Sequence, residues 1–355
     1  MRIVHITNHF LPSAGGVEWS VLRTAEAQVR AGHEVSVITE TPVGAWQDDE
    51  LACTVHRFQV PVVRPITRLF YWRRMWGFRA LLRSADVLHF HDYTVFVHWF
   101  LPLRPLIRGP RYAVTFHGFE RWPVQAHHQF FRSLTAWLCH VRFGVGSYLR
   151  ALYRHPIDAV YLGAPIREFP AMPQNDKMVF VYTGRLEKDT LLLPLVQLLR
   201  DAAMQTRIPV RLELAGSGSL RTELQELEHE GFEMLLHGQI EDTLPVLRNA
   251  RYLVATGFLS LFEAFQTGIP VIVPAFNSMK QQYFASIEHL DTLATVLRSE
   301  QEAEEVLQGI LKGALQSALQ EKAERARAFV SEHTWDDISR ILIQWYSTPR
   351  KHSST

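Results

Sequence analysis

The chain has 355 residues, 47% hydrophobic and 21% charged, an ordinary globular composition with room for two domains and a sizeable core. Its formal net charge of +1 excludes any whole-chain case for nucleic acid or a highly acidic partner. The two cysteines, Cys53 and Cys139, lack metal-like spacing and fit small core residues in a reducing compartment, and no stretch approaches the roughly 18 uninterrupted apolar residues of a membrane span.

From the N-terminus, Ile3 to Thr7 reads as a short apolar strand, without the long apolar core or the small-residue cleavage site of a signal peptide. A Pro/Gly-marked loop, Asn8 to Gly16, leads into a helix expected from about Val17 to Ala31, with Val21, Leu22, Ala25 and Val29 on one stripe. Gly32 fits a helix stop, and Glu34 to Thr39 is a second strand. The Gly15-Gly16 turn lets a ligand approach the backbone where helix amides favour anions. Alone it is more often only a tight turn, and it is not the GxGxxG of a nicotinamide site. Asp48-Asp49 reads as a solvated loop.

Val62 to Arg83 is expected as a basic, aromatic helix. It mixes Arg64, Arg68, Arg73, Arg74, Arg79 and Arg83 with Phe70, Tyr71, Trp72, Trp76 and Phe78, and carries no acid. Such a helix suits an anionic membrane surface or an anionic acceptor. Its plainer reading is a surface helix with aromatics inward. Asp86 to His91 is a strand with His89 and His91 on one face. No carboxylate or cysteine pattern completes a metal site there, so both read as strand-end histidines. Tyr112 to Glu120 is another apolar run, delivering Thr115, His117, Gly118 and Glu120 to a strand end where His117 can reach a ligand. Short strands at Phe143 to Ser147 and Ala159 to Gly163 complete this half, and Pro165, Pro170 and Pro173 mark a linker.

Met178 to Thr183 is a strand, followed by Gly184-Arg185-Leu186-Glu187-Lys188 and a helix from about Thr190. A glycine and two cations at a helix start describe a diphosphate site, Arg185 offering a forked contact and Lys188 a point charge. Arg211 to Ala215 is a strand, and Gly216-Ser217-Gly218 turns into a helix expected over Leu220 to Glu230, a second approach to a nucleotide. After a strand at Glu233 to His237 comes the unit that organises this half. It comprises strand Tyr252 to Ala255, turn Thr256-Gly257, a helix with Leu259, Phe262, Glu263 and Phe265 stopping at Gly268, and strand Val271 to Val273. Glu263 is an acid in an apolar helix that must pack on a sheet, costly unless something satisfies it. A helix start beyond a parallel strand is where α/β proteins hold ligands. Taken alone, Glu263 reads as a solvated acid or one that complements the helix dipole, and only the neighbouring motifs turn that reading around. Glu302 to Val330 is helical, and Trp335 to Tyr346 forms a last amphipathic helix with a core stripe.

These pieces together resemble the family-4 group of retaining glycosyltransferases with the GT-B fold. GGVE at Gly15 to Glu18, GHEVSVIT, DVLHFHD, VTFHGFE, GRLEK, LELAGSGS, LFEAFQTGIPVIV and TWDDISRILIQWY stand in the family's order along most of the chain. The expected fold is therefore α/β GT-B, two Rossmann-like doubly wound parallel-sheet domains facing across a cleft. Their bounds are 1–168 and 169–332, with a helix at 333–348 packing back on the first. The resemblance implies a nucleotide-sugar donor bound mainly by the second domain. It implies a hydroxyl acceptor, lipid-linked, glycan or small molecule, bound mainly by the first. By position, Arg185 and Lys188 would hold the diphosphate, Glu263 the ribose hydroxyls, and Gly15, Gly184, Gly216 and Ser217 would line the donor site. Gly16 would lie near the reacting sugar and His117 near the reaction centre. Glu18, Arg73, Arg74 and Arg79 are candidates for acceptor or membrane contact. Configuration would be retained, with the leaving diphosphate helping to deprotonate the acceptor. No cofactor and no metal are implied, and a cytoplasmic protein peripheral to the inner membrane face is expected.

The sequence departs from the family on the donor side. The acid usual eight residues before Glu263 is Ala255, and Thr256 does not replace it. GRLEK is short, and Asp189 stands for a usual glycine. AFNSMKQQYF replaces a Gly-rich loop after Pro274, and the region beyond is expected as helix rather than strand and loop. The alternative function is accordingly a degenerate, non-catalytic GT-B protein serving as a binding or partner subunit.

Overall fold

Short apolar runs alternate with helices and pair into two wholly parallel sheets. The computed structural model describes residues 1–12, 15–42, 48–63, 66–119, 123–172, 176–240 and 242–348. The chain divides into two units, Met1–Gly163 joined by the segment from Thr334, and Ala164–His333.

In the first unit, β1 (Arg2–Thr7), β2 (Glu34–Thr39), β3 (Thr54–Arg57), β4 (Val87–His91), β5 (Arg111–Phe116), β6 (Val141–Val145) and β7 (Ala159–Tyr161) form a seven-stranded sheet ordered β3-β2-β1-β4-β5-β6-β7. Its helices are α1 (Gly16–Arg30), α2 (Thr67–Gly77), α3 (Arg79–Ser84), α4 (Tyr93–Val95), α5 (Ala126–Leu138) and α6 (Tyr148–Leu152). In the second unit, β8 (Val179–Thr183), β9 (Val210–Ala215), β10 (Phe232–Gly238), β11 (Tyr252–Val254), β12 (Val271–Pro274) and β13 (Thr295–Leu297) form a six-stranded sheet ordered β10-β9-β8-β11-β12-β13. Its helices are α7 (Leu192–Thr206), α8 (Arg221–Gln225), α9 (Leu244–Leu247), α10 (Phe258–Thr267), α11 (Ser278–Phe284), α12 (Glu300–Leu311) and α13 (Gln316–Ser331).

Runs such as Ile3, Val4 and Ile6 or Val35, Val37 and Ile38 are buried because helices cover both faces of a parallel sheet. Strand order reverses between β1 and β4 and again between β8 and β11, so each sheet has one switch point where neighbouring strands send their loops apart. The last helix, α14 (Trp335–Ser347), belongs to the first unit. Thr334 caps it, accepting from the Asp337 amide at 3.1 Å, and it buries Trp335, Ile338, Leu342 and Tyr346. Arg30 at the end of α1 pairs with Asp336 at 2.7 Å.

Three local expectations are corrected and one strand is added. The region after Pro274 retains a strand, β13, besides α11. The helix expected over 220–230 ends at Gln225, because Glu226, Glu228 and Glu230 oppose the dipole at a helix C-terminus and Gly231 turns the chain at φ +82°. The basic segment breaks into α2 and α3 at Gly77-Phe78. The edge strand β3 lacks an apolar run and was not expected. Arg64, Glu120, Pro173 and the tail Lys351 to Thr355 lie outside the described residues. No helix among the described residues is long and apolar enough to cross a membrane.

Candidate active site

The first switch point is floored by histidines. His5 on β1 and His89 on β4 are register partners, and His91 follows two residues on, so all three share one sheet face. All three are buried. Their ring nitrogens lie within 4.8 Å of one another, near enough to share a cation. The hydrogen bonds show what they hold instead. His5 Nδ1 lies 3.0 Å from His91 Nε2, and His5 Nε2 lies 2.7 Å from Gln28 Oε1 on α1. His91 Nδ1 lies 2.8 Å from His117 Nε2. His89 meets Tyr346 Oη of α14 at 2.6 Å and Thr115 Oγ1 at 2.8 Å. Each of the six ring nitrogens of His5, His89 and His91 therefore has a protein partner.

Burial holds these rings neutral, lowering His5 to about 4 and His117 to about 3, with His89 and His91 also well below the ordinary value. A neutral imidazole has one N–H and one lone pair. With Gln28 Oε1 as terminal acceptor, His5 donates from Nε2, His91 donates from Nε2 to His5, and His117 donates from Nε2 to His91. That leaves the lone pair on His117 Nδ1. The half-buried His117 thus ends a three-ring chain as a hydrogen-bond acceptor.

The His117 backbone is fixed as well. Its amide donates to Asp92 Oδ1 at 3.2 Å, and Asp92 sits just past β4 in the left-handed region at φ 68°. Arg132 of α5 is buried 3.8 Å from that carboxylate, donates to the Gly118 carbonyl, and lies over the Phe116 and Tyr153 rings. Gly15 has extended backbone, yet a side chain on it would strike the Glu18 carboxylate. Glu18, buried in the first turn of α1, folds over the helix start, a favourable position for a negative charge. Gly16 begins that helix.

At the second switch point the Gly184–Lys188 loop leaves β8, Gly216–Gly218 leaves β9, and Thr256-Gly257 leaves β11. Arg185 is exposed and pairs with Asp189 at 2.8 Å, and Lys188 is exposed beside it. Gly216 and Gly218, at φ +157° and +156°, press against the Gly184 and Leu186 carbonyls, so these glycines are required by loop-on-loop crowding. Ser217 accepts the Leu186 amide at 2.9 Å through its carbonyl. Tyr182 Oη joins two of the loops, donating to the Arg185 carbonyl at 2.7 Å and meeting Thr256 Oγ1 at 3.2 Å. Glu263 lies half-buried on α10, whose end at Gly268 takes φ +71°.

Two contributors at this end escaped the sequence reading. Tyr283 of α11 stacks on Phe258 at 4.0 Å between ring centroids, and its hydroxyl accepts the Phe258 amide at 3.1 Å. Lys280 Nζ donates to the Thr256 carbonyl at 2.8 Å. Both come from AFNSMKQQYF, where amphipathic spacing gives no sign of what the polar tips reach. Arg73, Arg74 and Arg79 are exposed on α2 and α3 together with Leu69 and Trp76. Tyr71 instead stacks on Trp99, and Trp72 donates to the His98 carbonyl.

Residues 14–155 match a family model described as Glycosyltransferase Family 4. The chain is similar in fold to a glycosyltransferase from Rickettsia africae ESF-5, at 12% identity over 97% of each chain and a TM-score of 0.72. It is similar to HepE from Anabaena, solved with UDP and glucose, at 15% identity, 97% of this chain and 98% of that one, TM-score 0.74. A sucrose-phosphate synthase from Thermosynechococcus elongatus is similar at 18% identity, 97% and 98% coverage, TM-score 0.72. No curated protein sequence matches the chain. The two parallel-sheet units are a GT-B fold.

Proposed function

We propose that the protein transfers a sugar, with retention, from a nucleoside-diphosphate sugar to a hydroxyl acceptor. The observation that carries this is the second switch point, where Tyr182 ties the loop of Arg185 and Lys188 to Thr256, just before the helix α10 that carries Glu263. The HepE structures hold UDP with glucose or UDP-glucose, and a TarM structure holds UDP with an α-GlcNAc-glycerol. In the proposed reaction the bond from the anomeric carbon to the diphosphate breaks. The acceptor oxygen bonds to that carbon from the same face, and its proton passes to the leaving phosphate. Arg185 and Lys188 stabilise the charge that develops on the diphosphate. Glu263 accepts from the ribose hydroxyls, and neutral His117 accepts from a sugar hydroxyl through Nδ1.

Nucleotide titration tests this. A nucleoside diphosphate at one hundred times its Kd should stabilise the protein by about 2.7 kcal/mol. Glu263→Ala should weaken binding about tenfold and abolish donor hydrolysis. No stabilisation by UDP, GDP or ADP would overturn the donor assignment. One observation favours a non-catalytic partner subunit instead: the Phe258 amide, at the α10 start where a phosphate would seek donors, already serves Tyr283. Measurable nucleotide affinity without hydrolysis or transfer over a donor screen would select that alternative.

The acceptor side is proposed to meet an anionic, lipid-linked surface through α2 and α3. There Arg73, Arg74 and Arg79 stand among exposed Leu69 and Trp76, with the Arg79 and Arg83 guanidinium groups 5.6 and 5.5 Å from the Trp76 centroid. The protein should float with phosphatidylserine vesicles, and replacing those three arginines by glutamine should reduce the bound fraction severalfold. Equal flotation of both proteins would remove the electrostatic role.

A further inference from the structure

Lys280 is a buried cation with no counter-ion among the described residues. Only 6% of it is exposed. Its Nζ has one hydrogen-bond acceptor, the Thr256 carbonyl, and lies over the Tyr283 and Phe284 rings at 5.1 and 5.8 Å. No carboxylate among the described residues stands within ion-pair distance of it. The charges it senses are Asp189, which raises its pKa, and Arg185, which lowers it; Asp189 is already committed to Arg185. An ammonium can donate three hydrogen bonds, so two remain for something else. Burying such a charge unpaired costs several kcal/mol, more than one carbonyl and two ring faces return. Burial accordingly lowers Lys280 to about 8.

The position matters as much as the burial. Thr256 lies two residues past β11 and two before α10, beside the switch point, and Tyr182 links it to the Arg185 loop. Arg185, Lys188 and the start of α10 all add positive potential to this edge of the sheet. A charge left uncompensated in this field is compensated when an anion arrives. We infer that Lys280 is an oxyanion-binding residue at the second switch point, donating to phosphate or carboxylate oxygens of the ligand held there. This rests on the donor reading only in identifying the ligand as a nucleotide sugar. A phosphate source would make Lys280 a third cation on the diphosphate, and a carboxylate source would make the transferred sugar a uronic acid.

Thermal-shift titrations of the intact protein, Lys280→Met and Lys280→Gln with pyrophosphate, UDP, UDP-glucose and UDP-glucuronate separate these cases. Both variants should fold, since each removes an unpaired buried charge, and their ligand-free melting temperatures check this. Losing a charge-assisted hydrogen bond should weaken binding about tenfold or more. Weakening shared by pyrophosphate, UDP and UDP-glucose identifies the phosphate. Weakening confined to UDP-glucuronate identifies the carboxylate. If the wild type binds pyrophosphate through Lys280 but no nucleotide, the donor reading fails and the oxyanion site stands. Equal affinities in all three proteins, or no binding of any probe to the wild type, overturn the inference.

Discussion

Acidification below about pH 6 should unfold the first unit. The unfolded chain protonates its imidazoles around the ordinary value of 6.5, whereas burial holds His5 to about 4 and His117 to about 3, with His89 and His91 also well below 6.5. Between those limits the unfolded state binds protons that the folded state refuses, so stability is present above 6.5 and is lost as the pH falls. A ring held neutral throughout forfeits about 1.4 kcal/mol at one pH unit below 6.5, so four such rings forfeit at most about 6 kcal/mol near pH 5.5, the lower end of a whole domain's stability. The loss levels off below the folded-state values. All nine tryptophans fall in the first unit and none in the second, so tryptophan fluorescence reads this unit alone. A cooperative change between pH 5 and 6 is expected, moved to lower pH by His5→Gln. A flat signal from pH 7 to 4.5 would sink the account.

The second large effect is the loss of α14. Ending the chain after His333 should leave the first unit unfolded while the second still melts cooperatively. Leu342 and Tyr346 are buried almost completely, and Trp335 and Ile338 nearly so. Leu342→Ala alone should cost about 3 kcal/mol. Tyr346→Phe strips His89 Nδ1 of its 2.6 Å partner and should cost about 1–3 kcal/mol. Their sum with the other two side chains exceeds what a domain of this size holds in reserve. Urea titrations followed by fluorescence for the first unit and by far-UV circular dichroism for both would measure each step. A truncated chain with native-like fluorescence would refute the prediction.

Much of the architecture is legible in the chain itself. Strands such as Val179–Thr183 are near-continuous apolar runs because helices cover both faces, and Gly268 ends α10 where the apolar pattern ends. The stripe of α14 names its buried face directly. Short or exposed strands are harder. Thr54–Arg57 shows no alternation, because only half-buried positions face the unit there. Thr295–Leu297 is three residues whose pairing with β12 depends on neighbours far away in sequence.

Site residues divide in the same way. Arg185, Lys188 and Glu263 are visible because a glycine turn or an apolar helix frames an unusual charge. His5 joins His91 across 86 positions, and Lys280 reaches Thr256 across 24, and nothing local announces either meeting. Gly15, Gly216 and Gly218 show that a glycine marks close approach without saying of what. Here the near neighbours are the Glu18 carboxylate and the carbonyls of Gly184 and Leu186.

The discontinuity of the first unit bears on how the molecule is born. A ribosome releases β1 through β7 long before it reaches Tyr346, so the nascent sheet must wait with one greasy flank bare while all of Ala164–His333 is translated. The intervening unit, encoded by one uninterrupted stretch, is free to fold during that pause. Holdase chaperones would be drawn to the waiting half and not to the other, and stalling translation just before codon 334 should trap nascent chains in a chaperone-bound form.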